Sequence, residues 1–398
     1  MRLQTAPITR TLAATALVLA AALGQSSGAR AGGITDTEIV LGTHLDLSGP
    51  AAAGMPQLRN GMQMRLDEAN ETGGINGRKA RLIVEDNGSQ PQLAVRAVDK
   101  LIRSDEVFAI VNPFGSGTNA AVVKRAVDAG VIYFSPWGAS AVLQKIAGNN
   151  PLLFTTIANY DTTAKAALGW LIDESKAQRV GYIFQEGPLG ELTRVGVNAA
   201  LEARNMKLAA EAAYKVGDID FSSQVARMKT ADVELIFDAT LTRETIGVSA
   251  EAKKLGWTSV KIQTSIPGRT AIVAQLGKEA VEGLYGVGTW NIFAAGAEPA
   301  PIKAWSESYK KRFNLEPDEN ALLSYAYTDW FVTRGLQPAG RDVTTDKVVK
   351  ELQSSSYSHP VLYDPKRFVN GHVNPETVQV SQIKGGLWMP VSDKIIPK

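Results

Sequence analysis

The apolar positions of the chain form short continuous runs that alternate with amphipathic stretches. Residues 39–41 and 107–111 are consecutive apolar residues, which is typical of strands buried on both faces. Between these runs, residues 91–103 place their apolar side chains at helical spacing along one face. Those side chains are Ala94, Ala97, Val98, Leu101 and Ile102. Strands without polar alternation, separated by amphipathic helices, predict a parallel sheet covered on both sides.

The same order of predicted elements occurs twice along the chain. The first series has strands at 39–42, 80–85, 107–111 and 131–134, with helices at 56–72, 91–103 and 119–129. The second has strands at 179–184, 207–214, 233–237 and 260–263, with helices at 190–204, 221–229 and 243–255. Later helices are predicted at 302–313, 320–337 and 345–352, and short strands at 378–380 and 387–391. The second and third strands are about 27 residues apart in the first series and about 25 residues apart in the second, as single right-handed crossovers require. The pattern therefore predicts two similar open α/β sheets.

The first 31 residues have the pattern of a targeting segment. Arg2 and Arg10 precede an apolar run at 12–23, and Ala29-Arg30-Ala31 fits a cleavage site. This run is too short to span a bilayer of about 30 Å as a helix. We expect a cleavable signal peptide at 1–31, cut near Ala31. The alternatives are a buried N-terminal helix and an uncleaved anchor. Because the chain has no cysteine to carry a lipid, retention by a second membrane is needed, and the periplasm is the predicted location.

Composition and charge exclude several classes of function. The chain has 398 residues and no cysteine, which excludes a disulfide scaffold, a cysteine-ligated zinc site and a thiol nucleophile. Its 42 basic residues exceed its 40 acidic residues by only two. Three of the arginines lie in 1–31, which contains no acid, so 39 basic residues remain against 40 acidic ones. A nearly neutral protein has no electrostatic footprint for nucleic acid or for an acidic membrane surface.

Two loops follow neighbouring strands of the first predicted sheet, and ligands bind at such strand ends in open parallel sheets. Loop 112–119 opens a predicted helix, and its glycines let the backbone approach a ligand. Its free N–H groups, with the hydroxyls of Ser116 and Thr118, are suited to hold a carboxylate. The alternative is a capped tight turn with no ligand.

The second loop, 135–140, contains Trp137, which can stack on a ligand, and Ser140, which can donate a hydrogen bond. A tryptophan in such a place is also compatible with a core position. Because the two loops lie at adjacent strand ends, each strengthens the interpretation of the other as a binding loop.

Catalytic signatures are missing from the sequence. The three histidines, His44, His359 and His372, have no metal-binding spacing, and no Gly-x-Ser-x-Gly or Walker motif is present. His44 at a strand end is either a ligand contact or a structural histidine. Glu186 and Asp238 end strands of the second sheet, where acid–base work, capping and ligand contact are all possible. We expect no enzymatic activity, no metal and no cofactor.

Several segments together match one known family. They are Ser48-Gly49-Pro50, Gly73-Gly74-Ile75-Asn76-Gly77-Arg78, Leu82-Ile83-Val84-Glu85-Asp86, Phe108-Ala109-Ile110-Val111 and Asp220-Phe221-Ser222-Ser223-Gln224-Val225 with Met228-Lys229. On these segments, residues 34 to about 391 resemble the type I periplasmic solute-binding proteins of ABC transporters, in the leucine/isoleucine/valine-binding branch. The resemblance implies two doubly wound parallel-sheet lobes joined by a three-segment hinge, which close on a ligand. It implies an N-lobe of 34–157 plus 287–365 and a C-lobe of 158–286 plus 366–398.

The resemblance also implies a ligand site between the lobes. The family's loop for the ligand carboxylate corresponds to Phe114 to Thr118, and its second loop to Trp137 to Ser140, with Ala139 where a hydroxyl is expected. The family's acid for the ligand ammonium falls at about Ser265, where no acid is adjacent. Because a buried ammonium is costly without a carboxylate partner, an α-amino acid is the less favoured ligand.

An apolar or aromatic acid is expected instead, with Arg243 or Arg269 available for its carboxylate unless these arginines cap surface helices. The predicted ligand contacts are Ser48, Phe114, Gly115, Ser116, Gly117, Thr118, Trp137, Gly138, Ala139, Ser140, Tyr160, Glu186, Leu241, Arg243 and Ser265.

The function that follows is that of a monomeric, non-catalytic receptor. It captures a small carboxylate, an amino acid or an aromatic or apolar acid, and delivers it to ABC permease subunits. The alternatives are a sensory subunit that presents the ligand to a regulator, and a periplasmic enzyme that uses the interlobe cleft.

Overall fold

Runs of buried apolar residues form the strands, and one-sided helices cover them. The computed structural model describes residues 32–293 and 298–397. The predicted signal peptide lies outside these residues. None of the described helices has the length and hydropathy needed to cross a bilayer.

The strands alternate with helices along most of the described chain. The strands are β1 (Glu38–Leu45), β2 (Lys79–Asp86), β3 (Ala109–Val111), β4 (Ile132–Phe134), β5 (Leu153–Phe154), β6 (Val180–Gln185), β7 (Leu208–Tyr214), β8 (Leu235–Ala239), β9 (Lys261–Thr264), β10 (Tyr285–Gly288), β11 (Ser356–Tyr357), β12 (Lys366–Val369), β13 (His372–Asn374), β14 (Gln379–Lys384) and β15 (Leu387–Pro390).

The α-helices cover both faces of the sheets. They are α1 (Met55–Glu71), α2 (Pro91–Arg103), α3 (Ser116–Asp128), α4 (Ser140–Ala147), α5 (Tyr160–Ser175), α6 (Pro188–Glu202), α7 (Ser222–Thr230), α8 (Thr242–Lys254), α9 (Ala271–Gly277), α10 (Ala300–Phe313), α11 (Glu319–Trp330) and α12 (Thr345–Ser354). Short 3₁₀ turns occupy Ala52–Gly54, Ile266–Gly268 and Lys278–Val281, and a π-helical segment, Phe331–Leu336, continues α11.

Two sheets with the same winding confirm the predicted fold class. The first has the order β2-β1-β3-β4-β5 and is parallel throughout. The second begins with the equivalent order β7-β6-β8-β9-β10, also in parallel. It is then extended by β14 and β15, each antiparallel to the strand before it in this order. The two lobes are therefore doubly wound α/β layers, as the order of predicted strands indicates.

The strands near the crossings between the lobes bear on the predicted lobe boundaries. Strand β10 runs to Gly288 within the second sheet, one residue past the predicted boundary at 287. Strand β12 pairs with β11 and β13 in a separate three-stranded sheet, and His372 bridges to Thr155 beside the first sheet. The boundaries themselves stay a prediction.

Close packing of α1 on α11 holds the later part of the chain against the first lobe. The contact depends on Gly61, because a Cβ there would lie 2.1 Å from the carbonyl oxygen of Ala321 and 2.2 Å from Ser324 Oγ. A large core cluster around these helices includes Leu58, Leu323 and Trp330. Helix α11 and the residues before it are thereby fixed beside the strand ends of the first sheet.

Candidate functional site

A cavity of about 590 Å³ lies where the carboxyl ends of the two sheets face each other. Its walls are loops that follow β1, β3 and β4 in the first lobe and β6, β8 and β9 in the second. Apolar side chains make up most of the lining. They include Ala51, Met55, Phe114, Trp137, Ile157, Leu189, Val216, Leu241, Ile246, Ile266, Ile272, Leu276 and Trp290. The cavity therefore suits the apolar body of a small molecule.

Six helices begin with a residue that lines this cavity: α1, α2, α3, α5, α6 and α8. The N–H groups of a first helical turn have no partner within the helix, and the helix dipole adds partial positive charge there. The charged residues among the described lining are only Glu186 and Arg243, and both are exposed. The electrostatics of the cavity thus favour an anionic group such as a carboxylate.

The loop that precedes α3 is held by backbone hydrogen bonds. The Phe114 N–H donates to the carbonyl of His44 at 2.9 Å, and the Gly115 N–H donates to that of Trp137 at 2.9 Å. Gly115 has a φ of 107°, which favours glycine, and a Cβ there would lie 2.4 Å from Thr118 Oγ1. The Thr118 hydroxyl donates to the carbonyl of Phe114 at 2.6 Å. Its proton is therefore used within the loop, and only its oxygen remains to accept a bond.

The second loop places Trp137 and Gly138 at the cavity, whereas the hydroxyl of Ser140 points away from the cavity into the protein core. Ser140 is the first residue of α4, is fully buried, and donates through Oγ to the carbonyl of Ile157 at 2.6 Å. Ala139 is also fully buried. Neither residue lines the cavity, because the start of α4 packs against the segment that follows β5.

Four of the predicted contacts, Tyr160, Glu186, Leu241 and Arg243, belong to the cavity lining beyond the first-sheet loops. Tyr160 is nearly buried at 5% exposure, and burial raises the pKa of its phenol. The neighbouring side chain of Ser116 opposes that rise in the pKa, so the start of α5 lies beside the start of α3.

The two predicted arginines occupy different environments. Arg243 lies at the cavity, where its Nη2 donates to Glu244 Oε1 at 2.9 Å and to the carbonyl of Asp218 at 3.1 Å. Arg269 is buried at 2% exposure and donates to the carbonyl of Trp290 and to Ser381 Oγ. Arg269 is therefore a structural residue that does not line the cavity, and Arg243 alone can reach a ligand there.

Two further predicted contacts lie off the cavity. Ser48 is exposed beside Gly88, and Ser265 is buried at 2% exposure, where its Oγ has no hydrogen-bond partner among the described residues. With Ala139 and Ser140, these are the predicted contacts that the described lining does not include. That the remaining predicted residues touch a ligand stays a prediction.

Trp290 is a lining residue that the sequence analysis missed. It is 4% exposed, and its Nε1 has no hydrogen-bond partner among the described residues. Trp290 lies just after the end of β10, a strand that the sequence analysis does not predict, so the strand-end rule was not applied there. Its only sequence signal is an aromatic residue next to the Gly286-Val287-Gly288 strand.

Two buried acids lie close to the cavity without lining it. Asp238 is fully buried at the second residue from the end of β8, neither Oδ has a hydrogen-bond partner in the part of the chain that is described, and burial raises its pKa to about 8. Glu319 accepts the N–H of Ala271 at 2.5 Å, which links α11 to α9. Burial, and then the charge of Asp318, raise the pKa of Glu319 to about 8. Neither acid is placed to exchange protons with a ligand, so acid–base work by Asp238 finds no geometric support.

No group of three or more metal-ligating side chains is close enough to hold an ion within 32–293 and 298–397. His44 is buried below the first-lobe loops rather than at the cavity surface.

Comparison with known proteins agrees with this fold. Residues 38–387 match the family model described as periplasmic binding protein. The Leu/Ile/Val-binding protein BraC3 of Rhizobium johnstonii is 30% identical over 204 residues, which are 51% of this chain and 55% of that protein. The chain therefore spans about half the length of this relative.

Two solved structures show the same fold. A solute-binding protein from R. palustris, in complex with benzoate, has a TM-score of 0.80 at 16% identity and covers 90% of this chain and 97% of its own. A fatty acid ABC transporter substrate-binding protein from Thermomonospora curvata has a TM-score of 0.79 at 22% identity, covering 93% and 95%. Since the family model extends over nearly all the described residues, the chain belongs to the periplasmic binding protein family.

Proposed function

We propose that this protein is the solute-binding component of an ABC importer of the branched-chain amino acid type. It captures one small carboxylate with an apolar or aromatic body between its lobes and delivers it, unchanged, to permease subunits. The observation that carries the proposal is the cavity itself, in which helix starts and Arg243 provide positive potential within apolar walls. We further propose that residues 1–31 are a cleaved signal peptide and that the monomer works in the periplasm.

The carboxylate fits best at the start of α3. There the N–H groups of the first turn are unpartnered within the helix, and Ser116 and Gly117 line the cavity. Phe114 and Trp137 flank this position and would cover the apolar body of the ligand. Arg243 lies on the opposite lobe and would pair with the anion as the lobes close.

An aromatic or aliphatic acid suits this lining better than an α-amino acid. The one carboxylate in the described lining, that of Glu186, is exposed, so a buried ammonium would lack a desolvated partner. Both ligand classes occur among similar proteins. Relatives are named for leucine, isoleucine and valine, and structural neighbours are named for benzoate and fatty acid.

The energetics of capture are compatible with this site. A micromolar affinity requires about 8 kcal/mol. Burial of roughly 150 Å² of apolar ligand surface supplies about 4 kcal/mol at ~25 cal/mol/Å². Charge-assisted hydrogen bonds of about 1.5 to 3 kcal/mol each supply the remainder, out of which the cost of closure also comes.

The proposal is tested by a thermal-shift screen followed by calorimetric titration. The panel is benzoate, cinnamate, octanoate, leucine, valine and, as the matched uncharged control, benzamide. We expect stabilisation by at least one of the first three, none by benzamide, and recovery of the bound compound chemically intact. Stabilisation by leucine or valine that is lost in Phe114→Ala and kept in Arg243→Met would instead identify an amino acid receptor. A bound compound recovered in altered form would indicate an enzyme.

Replacing Arg243 by methionine is expected to weaken carboxylate binding about tenfold, because one charge-assisted hydrogen bond is lost. The loss of binding free energy stays at the lower end of the about 1.5 to 3 kcal/mol of a charge-assisted hydrogen bond, because Arg243 is exposed and already paired with Glu244. Titration calorimetry with the best acid of the panel measures the effect. The matched control is Arg227→Met, an exposed arginine of α7 away from the cavity, which should leave the affinity unchanged. Equal affinities for Arg243→Met and the wild type would remove Arg243 from the site.

A further inference from the structure

Four buried polar side chains form a row beneath the first-lobe loops. They are His44, Asn87, Asn119 and Tyr133, and none of them has exposed surface. His44 lies in β1, Asn87 directly follows β2, Tyr133 lies in β4, and Asn119 lies in the first turns of α3. The row therefore connects separate elements that end at the cavity, although none of its members lines the cavity.

The backbone determines the orientation of the Asn119 amide. Its Nδ2 faces two carbonyl oxygens, those of Pro113 at 3.2 Å and Trp137 at 3.3 Å. Only the amide nitrogen can donate to both, so Oδ1 is the atom that faces Tyr133. The carbonyls it binds belong to the two loops that precede α3 and α4.

The orientation of the Asn87 amide is determined in the same way. Its Oδ1 accepts the Ser89 N–H at 2.8 Å, and its Nδ2 donates to the carbonyl of Phe114 at 3.0 Å. The same Nδ2 lies 2.9 Å from His44 Nδ1. The second amide proton of Asn87 is therefore directed at the imidazole.

These two amide orientations determine which atom donates the proton in each hydrogen bond in the middle of the row. The Tyr133 hydroxyl donates to Asn119 Oδ1 at 2.6 Å, so its oxygen must accept from His44 Nε2, which is 2.9 Å away. His44 then carries its proton on Nε2 and accepts from Asn87 on Nδ1. A protonated imidazole would set an N–H of His44 against an N–H of Asn87. Burial lowers the pKa of His44 to about 3, in agreement with a neutral ring.

We propose that His44, Asn87, Asn119 and Tyr133 are positioning residues, hydrogen-bonded in a single direction, that hold both first-lobe ligand loops in place. The inference rests on the proposed function, which assigns the ligand to these loops. The row ends on the carbonyl oxygens of Pro113 and Trp137. The Pro113 oxygen also accepts the N–H of Trp137, and the Trp137 oxygen also accepts the N–H of Gly115. Each end therefore fixes the backbone that aims the first turn of α3 into the cavity.

The variant that tests this row is Tyr133→Phe, which removes one hydroxyl and leaves the His44 Nε2–H and Asn119 Oδ1 unpaired. Its matched control is Tyr357→Phe, which removes another buried hydroxyl, bonded to Asp329 at 2.9 Å, in a part of the molecule that does not line the cavity. Both proteins are compared with the wild type by amide hydrogen exchange, resolved by NMR, without ligand. The affinity for benzoate is then measured by calorimetry.

We expect exchange at Gly115 and Trp137 to accelerate at least tenfold in Tyr133→Phe and to stay unchanged in Tyr357→Phe. We expect the benzoate dissociation constant to rise about tenfold in the first variant only. Equal exchange rates at these amides in the two variants would overturn the inference, because a general loss of stability would then explain both. If the wild type binds none of benzoate, cinnamate and octanoate, the ligand class of the proposed function fails, while the exchange comparison still decides the role of the row.

A measurement on the wild type keeps the inference testable if Tyr133→Phe does not fold. The nitrogen shifts of His44 in protein labelled with ¹⁵N-histidine report which ring nitrogen carries the proton. We expect the Nε2–H tautomer throughout the pH range from about 5 to about 8. An Nδ1–H tautomer, or titration of His44 within that range, would contradict the single direction of the row.

Discussion

Replacing Asp238 by asparagine is expected to make the stability of the protein less dependent on pH. The wild type should lose free energy of unfolding as the pH rises from about 5 to about 9, and the variant should lose much less. In the folded protein, burial raises the pKa of this carboxyl from an ordinary value of 3.8 to about 8. Between these two values the folded state holds a proton that the unfolded state has released. The contribution of Asp238 to the stability of the fold is complete below the ordinary pKa of 3.8 and is lost as the pH rises through the raised pKa of about 8.

The size of this effect follows from the two pKa values. At 1.36 kcal/mol for each pKa unit, the full difference corresponds to about 6 kcal/mol, of which we expect at least 2 kcal/mol to appear in the free energy of unfolding. Denaturant unfolding of Asp238→Asn and the wild type at about pH 5, 7 and 9 measures it. The absolute stability of the variant does not matter, because only its change with pH is compared.

The control is Asp128→Asn, an exposed aspartate in an i,i+4 pair with Lys124, which should keep the pH dependence of the wild type. Glu319 acts in the same direction as Asp238, since its pKa is also raised to about 8, so part of the dependence should persist in Asp238→Asn. A variant with the same pH dependence as the wild type would show that Asp238 is not the source.

Replacing Gly61 by alanine is expected to cost about 2 to 4 kcal/mol of unfolding free energy. The added Cβ would lie 2.1 Å from a backbone oxygen of α11, which cannot move as a flexible side chain could. Helices α1 and α11 must then separate, which exposes part of the core between them. Denaturant unfolding followed by circular dichroism measures the loss.

The matched control for Gly61→Ala is Gly117→Ala, also within a helix, where a Cβ would meet nothing within 4 Å. Because alanine is the better helix former, this variant should be unchanged or more stable by up to about 1 kcal/mol. A Gly61→Ala protein as stable as the Gly117→Ala protein would show that α1 and α11 have room to adjust.

Most of the fold could be predicted from the sequence, since buried strands and one-sided helices carry a local signal. Residues 91–103, for example, place their apolar residues on one face and form α2 with the predicted ends. Helix α5 was missed because its buried stripe includes the small or polar residues Thr163, Ala164 and Ala167, which give a weak hydrophobic signal in the sequence. The predicted helix 320–337 ends as α11 at Trp330, where a π-helical segment begins.

The candidate site was only partly predictable, because side-chain direction depends on packing beyond the local sequence. The loops around Phe114 and Trp137 could be placed at the cavity from the rule that ligands bind at strand ends. That Ser140 turns away depends on the contact of α4 with Ile157. In the same way, Arg243 and Arg269 differ only in what surrounds them, and the sequence offered both as ligands for a carboxylate.

What the sequence by itself determined is therefore the order of strands and helices, their two series, and the strand ends where a ligand site can form. These features follow from periodicity and from turn residues, which act over a few positions. The tertiary structure alone decided which polar groups face the cavity and which are consumed in the core. The burial of Arg269 and the single direction of the row through His44 arise from contacts between residues far apart in the chain, which no local pattern specifies.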